Sequence, residues 1–178
     1  MNYQFIDSNS TKEVVALFTS VFTVSEGEKE GELIGKLASG LAPNINNEET
    51  FCFGAYENGF LAGSIFFTRL KFNNPILVYM LSPVAVSTEL QGKGIGQALI
   101  NYGIEELRKR SVDVVVTYGD PNYYCKVGFE PLSESVIQAP LPLSMPHGWL
   151  GQSLTDKPIP TIDGRPVCAE EFNNPDYW

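Results

Sequence analysis

The residues that most clearly indicate a binding site are three glycines at alternate positions in residues 91–96, which read Gln-Gly-Lys-Gly-Ile-Gly. Glycine permits tight turns and lets main-chain N–H groups approach a ligand closely. The apolar run at residues 76–81 predicts a buried strand before this turn, and a helical pattern begins at Ile95. A helix N-terminus carries unpaired N–H groups and about half a positive charge. The turn therefore predicts a binding site for phosphate or pyrophosphate.

Two common nucleotide-binding motifs do not fit this stretch. A Walker loop reads Gly-x-x-x-x-Gly-Lys-Ser/Thr, and here no hydroxyl residue follows Lys93 to hold magnesium. A Rossmann fingerprint has a different glycine spacing and an acidic residue at the end of a strand about 20 positions later. An ordinary strand-to-helix loop stays open as an alternative, because glycine spacing alone does not distinguish the two.

Two motifs resemble landmarks of the GNAT N-acetyltransferase superfamily. Val84-Ala85-Val86 followed by residues 91–96 is similar to its acyl-CoA-binding motif, Arg/Gln-x-x-Gly-x-Gly/Ala. Residues 124–129, Tyr-Cys-Lys-Val-Gly-Phe, resemble the Tyr-x-x-x-Gly-Phe that ends a short helix in the family. Within the superfamily, residues 118–124 are similar to a bacterial branch with Gly-Asp-Pro-x-Tyr-Tyr, largely uncharacterised as to substrate. The resemblance covers roughly residues 3–135.

The resemblance implies an α/β fold of the GNAT type. This fold has a central, mostly antiparallel mixed sheet with one parallel, splayed strand pair, and helices on both faces. The residues agree with it, because Asn58-Gly59 between two apolar runs is a strong hairpin signal. Residues 112–117 follow a crossover helix and should lie parallel to the strand that ends at Val86. Pro83 cannot donate to a ladder, so we expect that pair to separate there.

The resemblance further implies transfer of an acetyl group from acetyl-CoA to a primary amine, by direct attack in a ternary complex. Main-chain groups of Val84 and Val86 would bind the pantetheine arm as an added strand would. The glycine amides would hold the pyrophosphate. The residues implied in binding the carrier are Val84, Val86, Gln91, Gly92, Lys93, Gly94, Gly96, Gln97 and Asn122. Acetyl-CoA would be a substrate, and no metal is expected.

Tyr124 occupies the family's tyrosine position and is implied to donate a hydrogen bond to the leaving thiol. A thiol has a reference pKa of about 8.5, so it needs only modest help from an acid. Tyr123 is the neighbouring alternative, and a packing role is open for the tyrosine. Many relatives carry a glutamate on the strand before the glycine turn, whereas residues 79–82, Tyr-Met-Leu-Ser, offer no carboxylate.

The general base is therefore unassigned. A water relay assisted by Glu57, Glu130 or Asp120 depends on where the fold places these carboxylates. His147, the sole histidine, could face the acceptor, although a lone loop histidine is more often merely exposed. The missing strand glutamate also motivates a second hypothesis, a non-catalytic acyl-CoA-binding or sensing module.

Length and charge restrict the remaining possibilities. The 178 residues predict a single domain over residues 1–178, with a core at about 3–135 and a proline-rich extension at 136–178 packed on it. The net charge of −9 argues against sequence-independent nucleic-acid binding and is compatible with a cationic acceptor. Neither a membrane-spanning run nor a signal-like N-terminus is visible, so we expect a cytoplasmic protein. The three cysteines are scattered and have no spacing typical of a metal site. The sequence leaves open whether the protein forms a homodimer.

Overall fold

The structure is a computed structural model, and it describes residues 1–46 and 48–178. Its strands are β1 (Asn2–Phe5), β2 (Thr50–Glu57), β3 (Phe60–Phe72), β4 (Asn74–Val86), β5 (Val114–Tyr118), β6 (Glu130–Pro131) and β7 (Trp149–Ser153). Its α-helices are α1 (Thr11–Glu26), α2 (Glu28–Leu41), α3 (Ile95–Arg108) and α4 (Pro121–Tyr124). The strands form a seven-stranded sheet in the order β1-β2-β3-β4-β5-β7-β6, and β4 and β5 are parallel. The predicted mixed α/β fold with a parallel strand pair is confirmed.

The chain groups into two compact units. The first comprises Met1–Phe67 and Pro83–Gly103, and the second comprises Thr68–Ser82 and Ile104–Trp178. The glycine turn belongs to the first unit, and α4 belongs to the second.

An antiparallel arrangement of strands and a layer of buried phenylalanines hold the first unit together. β1 pairs with β2 from Asn2–Tyr56 to Phe5–Phe53. Asn58 and Gly59, with φ of 52° and 83°, form the turn between β2 and β3. This left-handed backbone is the conformation that an Asn-Gly hairpin turn requires. The largest fully buried side chains of this unit are Phe18, Phe51, Phe53, Phe66 and Phe67.

Two glycines allow α1 and α2 to approach each other closely. A β carbon added at Gly31 would lie 1.9 Å from Thr23 Oγ1, and one at Gly35 would lie 2.3 Å from Thr19 Oγ1. Both distances are far below van der Waals contact. Gly27, with φ of 99°, separates the two helices. The α1–α2 pair therefore depends on the absence of side chains at these helix positions.

The second unit contains the parallel pair. The register of β4 with β5 runs from Val78–Val114 to Leu81–Thr117, whereas β4 itself continues to Val86. Pro83 thus lies just beyond the last pair of this register, as its missing N–H predicts. β7 pairs antiparallel with β5 on one side and with the short β6 on the other.

The proline-rich residues after position 138 form short 3₁₀ turns and an aromatic cluster around Trp178. The Trp178 ring stacks on Tyr118, with centroids 6.1 Å apart, and packs against Trp149 at 6.2 Å. Its indole Nε1 donates a hydrogen bond to the Phe172 carbonyl oxygen at 2.9 Å. Only 7% of Trp178 is exposed, so this segment of the chain is packed within the second unit.

Candidate functional site

The first group of candidate residues lies where β4 leads into α3. Val84 and Val86 are half-buried, and Ala85 between them is buried, as expected for the alternating sides of a strand. A 3₁₀ turn at Thr88–Leu90 follows β4. The Ser87 main-chain N–H donates to the Ala62 carbonyl oxygen at 2.8 Å, which pairs the end of β4 with β3.

Two glycines of the turn have a backbone that other residues rarely adopt. Gly92 has φ of 75° and Gly94 has φ of 77°. A β carbon added at either position would meet no other atom within 4 Å, so conformation, not crowding, requires glycine here. The space beside this backbone is open to a ligand.

The helix start follows directly. The Ala98 N–H donates to the Gly94 carbonyl oxygen at 3.0 Å, which places the first N–H groups of α3 beside the turn. Lys93 is exposed, Gly96 is buried and Gln97 is half-buried. With its dipole and its free N–H groups, this helix end can bind an anion.

Gln91 makes a contact that sequence reasoning did not anticipate. Its side-chain Nε2 donates a hydrogen bond to the Val86 carbonyl oxygen at 3.0 Å. The amide therefore folds back onto the end of β4, and one of the main-chain groups expected to face the pantetheine arm is engaged by Gln91.

Tyr124 lies at the end of α4, in the second unit. Asp120 begins this helix, because its Oδ1 accepts a hydrogen bond from the Asn122 main-chain N–H at 2.9 Å. The Tyr124 ring packs edge-on against Phe129 at 5.7 Å and against Tyr123 at 5.1 Å. Asn122 itself is exposed.

Gly119 allows this tyrosine to lie close to the end of β5. A β carbon at Gly119 would lie 2.6 Å from Tyr124 Cε2, so no other residue fits without moving the ring. Burial raises the pKa of the Tyr124 hydroxyl to about 12, and a hydrogen bond with the Thr117 hydroxyl partly opposes that effect. Tyr124 is therefore protonated at neutral pH and can donate a proton. Burial also raises the pKa of Tyr123.

The candidate bases occupy different places. Glu57 is exposed at the end of β2 in the first unit. In the second unit, Asp120 is engaged with Asn122, and Glu130 lines a cavity of about 580 Å³ together with Gln152 and neighbouring residues of β6 and β7. The three carboxylates thus lie in different surroundings, and no described hydrogen bond joins any of them to the Tyr124 hydroxyl.

His147 lies in the turn Pro146–Gly148 and is exposed. The Met145 N–H donates to the Tyr118 hydroxyl oxygen at 2.7 Å, and the Gly119 N–H donates to the Gly148 carbonyl oxygen at 3.0 Å. These bonds fix the turn that carries His147 against the end of β5, directly before Asp120 and α4.

The structure adds Thr117 and Gly119 to the residues around Tyr124, with Tyr118 between them in the chain. The sequence offered one weak signal, a threonine and a tyrosine at the end of an otherwise valine-rich strand.

Among residues 1–46 and 48–178, His, Cys, Asp and Glu side chains form no group of three or more that could hold a metal ion. None of the helices in the described part of the chain combines the length and apolar character that crossing a bilayer requires.

Comparison with known proteins links this geometry to a family. A sequence model of the family described as Acetyltransferase (GNAT) domain matches residues 2–132. The chain is 33% identical over 174 residues to the uncharacterized N-acetyltransferase YjhQ of Escherichia coli K12, across 94% of this chain and 92% of that protein. It is 29% identical over 118 residues to the uncharacterized N-acetyltransferase YhbS of the same strain, across 66% of this chain and 70% of that protein.

Two solved structures share the fold. The crystal structure of YhbS from Escherichia coli in complex with CoA matches with a TM-score of 0.80 and 21% identity, across 97% of this chain and 92% of that chain. A GNAT acetyltransferase from Brucella melitensis in complex with acetyl-CoA matches with a TM-score of 0.67 and 22% identity, across 97% of both chains. At these identities the likeness shows a common fold.

Proposed function

Because this chain belongs to the GNAT acetyltransferase family, we propose that it transfers an acetyl group from acetyl-CoA to a primary amine of a small molecule or peptide. The observation that carries the proposal is the turn at Gly92 and Gly94, with its left-handed backbone, open surroundings and position at the start of α3. The Gly-Asp-Pro-Asn-Tyr-Tyr motif ending at Tyr124 supports the bacterial branch with that motif. We treat residues 1–178 as a single catalytic domain.

In the proposed complex, acetyl-CoA binds along the end of β4 and the start of α3. The main chain of Val84 and Val86 binds the pantetheine arm, and the glycine amides bind the pyrophosphate. The side-chain amide of Gln91 has to leave the Val86 carbonyl oxygen if pantetheine is to use that group. The other residues assigned to this carrier are Lys93, Gly96, Gln97 and Asn122. The CoA and acetyl-CoA complexes of the two fold relatives support this choice of donor.

The proposed reaction is direct attack by the neutral amine nitrogen on the thioester carbonyl carbon. The carbonyl oxygen becomes negative, and main-chain N–H groups near Val86 stabilise it. The C–S bond then breaks, the sulfur keeps the electron pair, and Tyr124 gives it a proton. The nitrogen loses its extra proton to solvent, so the products are an amide and CoA. Burial raises the pKa of Tyr124, so its hydroxyl carries a proton at the start of the reaction, and solvent returns that proton afterwards.

One observation favours a second function. Residues 79–82 contain no carboxylate that could deprotonate the incoming amine, and no described hydrogen bond joins the carboxylate of Glu57, Glu130 or Asp120 to the Tyr124 hydroxyl. A protein with the carrier site but without efficient chemistry would serve as an acyl-CoA-binding or sensing module.

Kinetics of Tyr124→Phe separate the two functions. Free CoA is measured with acetyl-CoA and a panel of primary amines that includes amino acids, polyamines and a lysine peptide. We expect Tyr124→Phe to lower kcat by about tenfold or more, with the KM for acetyl-CoA unchanged, because it removes only the proton donor. Tyr123→Phe is the matched control and should stay within about twofold of the wild type.

Two outcomes would count against the proposed enzyme. Full activity of Tyr124→Phe would remove this tyrosine from the chemistry. Calorimetric binding of CoA without acetylation of any amine in the panel would favour the binding module.

A further inference from the structure

The cavity of about 580 Å³ beside β6 and β7 has no part in the proposed acetyl transfer, and it lies wholly within the second unit. Its lining residues fall between positions 128 and 136 and between positions 151 and 159. Binding sites for small molecules commonly have volumes of about 300–1,000 Å³. The cavity is therefore large enough for a small organic molecule.

The lining of this cavity does not include Tyr124 or any residue assigned to acetyl-CoA. Ser153, which lines the cavity, pairs with Val114 at the start of β5, whereas Trp149 pairs with Tyr118 at the end of β5. Four residue steps along β7 separate these two pairs, which corresponds to about 13 Å. The cavity thus extends toward the end of β7 that lies away from the candidate site.

The absence of a side chain at Gly151 gives the cavity an apolar floor. A β carbon added at Gly151 would lie 3.0 Å from Ile159 Cδ1 and 3.0 Å from Leu132 Cδ2. Both aliphatic side chains therefore lie over the Gly151 backbone, and Val136 adds a third aliphatic side chain to the lining. An alkyl chain can bury its surface against this group of side chains.

Glu130 places a carboxylate beside the apolar floor. It pairs with Gly151 across β6 and β7, and cross-strand partners project to the same face with β-carbon positions about 5 Å apart. Among the lining residues that the structure describes, Glu130 is the only one with an ionisable side chain. It is exposed, and none of the described ion pairs involves it. The cavity therefore combines one negative charge with aliphatic walls.

Gln152 adds a second acceptor to the lining. Its side-chain Oε1 is buried and has no hydrogen-bond partner in the described part of the chain. A buried carbonyl oxygen without a donor costs free energy, which a ligand with N–H groups can offset. The amide has to rotate about its last carbon–carbon bond before this oxygen can meet such a ligand.

Hydrogen bonds hold two walls of the cavity in place. The Ile162 N–H donates to the Val136 carbonyl oxygen at 2.9 Å. The Ser153 hydroxyl donates to the Lys157 carbonyl oxygen at 2.5 Å, which fixes the loop that leads to Ile159. A site whose walls are ordered beforehand loses less conformational entropy when a ligand binds.

We propose that this cavity binds a small organic cation, namely an aliphatic primary amine in its protonated form. The ammonium group pairs with the Glu130 carboxylate, and the alkyl chain packs against Leu132, Val136 and Ile159. The net charge of −9 favours the approach of a cation. The proposed acetyl transfer does not need this site, because the amine attacked in that reaction is neutral whereas this site holds the charged form.

The test uses hexylamine, which is protonated at pH 7, with the full chain and without acetyl-CoA. The methyl groups of leucine, valine and isoleucine are labelled and followed by NMR during the titration. We expect saturable shifts of the Leu132 and Ile159 signals. Hexanoate has a similar chain and the opposite charge, so it should bind at least about fivefold more weakly.

Two variants separate the charge from the apolar floor. Glu130→Gln keeps the size of the side chain but removes its charge, so we expect it to weaken hexylamine binding about fivefold or more. Gly151→Ala places a methyl group between Leu132 and Ile159, and it should weaken binding by reducing the space. Glu32→Gln removes the same charge from α2 in the first unit and should leave the affinity unchanged. If Gly151→Ala does not fold, as judged by circular dichroism, Glu130→Gln decides the test.

Three outcomes would overturn the proposal. The first is equal affinity of the wild type and Glu130→Gln for hexylamine, and the second is an equal loss in Glu130→Gln and Glu32→Gln. The third is a set of shifts confined to residues near Tyr124, because the amine would then bind only at the proposed reaction site. If hexylamine binds in the cavity while no amine is acetylated, this inference stands and the proposed enzyme fails.

Discussion

Gly94 gives the sharpest single-residue test of the carrier site. Its backbone is left-handed, and a side chain there would extend into open space. We expect Gly94→Asp to weaken CoA binding about tenfold or more, because its carboxylate would occupy the proposed pyrophosphate position and repel the phosphates. Calorimetric titration with CoA measures this change.

Gly59 provides a matched control for the backbone strain at Gly94. It has φ of 83° in the β2–β3 turn, and a β carbon there would also meet nothing within 4 Å. Gly59→Asp should therefore cost a similar amount of folding free energy, about 1 kcal/mol, without changing the affinity for CoA. Equal affinities of the two variants would contradict the assignment of the pyrophosphate site.

The sequence predicted the conformation or role of some residues in the candidate site but not the contacts of others. Gly92 and Gly94 were predictable, because a backbone with positive φ strongly favours glycine, so the residue type itself indicates the conformation. The role of Tyr124 came from a motif and stays a prediction. Thr117 and the contact of Gln91 with Val86 were not predicted, because both depend on partners that only the folded chain brings together.

The short helix α4 gives a prediction about an element. It has four residues, so its start at Asp120 determines much of its stability. We expect Asp120→Ala to lower the free energy of unfolding by about 1 kcal/mol, because the Asn122 N–H loses its acceptor. Asp120→Asn keeps an acceptor oxygen and should stay close to the wild type. Urea denaturation measures both, and equal stability of the two variants would contradict the capping role.

Strands and helices were predicted best where a periodic pattern had a clear end. The Asn58-Gly59 turn marked the β2–β3 hairpin, and Pro83 marked the place beyond which the β4–β5 register does not extend among the described residues. Boundaries set by packing were less accurate. A glycine after a helical pattern is a common stop signal, whereas α2 runs through Gly40 to the buried Leu41.

For the chain as a whole, the parallel strand pair was predictable and the arrangement of the residues after Ala139 was not. The parallel pair follows from a strand, a crossover helix and another strand in order, which allow few topologies. After Ala139, frequent prolines remove the periodic signals that identify elements. The 3₁₀ turns and the cluster of Tyr118, Trp149 and Trp178 arise from tertiary packing instead.

This cluster leads to a prediction about the stability of the fold. Trp178 is 7% exposed, stacks on Tyr118 and donates its indole hydrogen to the Phe172 carbonyl oxygen. Trp178→Ala should therefore lower the free energy of unfolding by about 3 kcal/mol, because it leaves a cavity and an unpaired carbonyl. Val167→Ala is the control in the same part of the chain, since Val167 is 67% exposed, and it should change the stability by less than about 0.5 kcal/mol.

The same substitution should also affect the chemistry through Tyr118. Tyr118 holds the Met145 main chain through its hydroxyl and lies directly before Gly119, on which the Tyr124 ring rests. Loss of the stacked indole frees the Tyr118 ring, so we expect kcat of Trp178→Ala to fall at temperatures well below its unfolding transition. Chemical denaturation and acetyl-CoA turnover at 10 °C test the two parts separately. Wild-type stability together with wild-type turnover would show that the cluster supports neither the fold nor the end of β5.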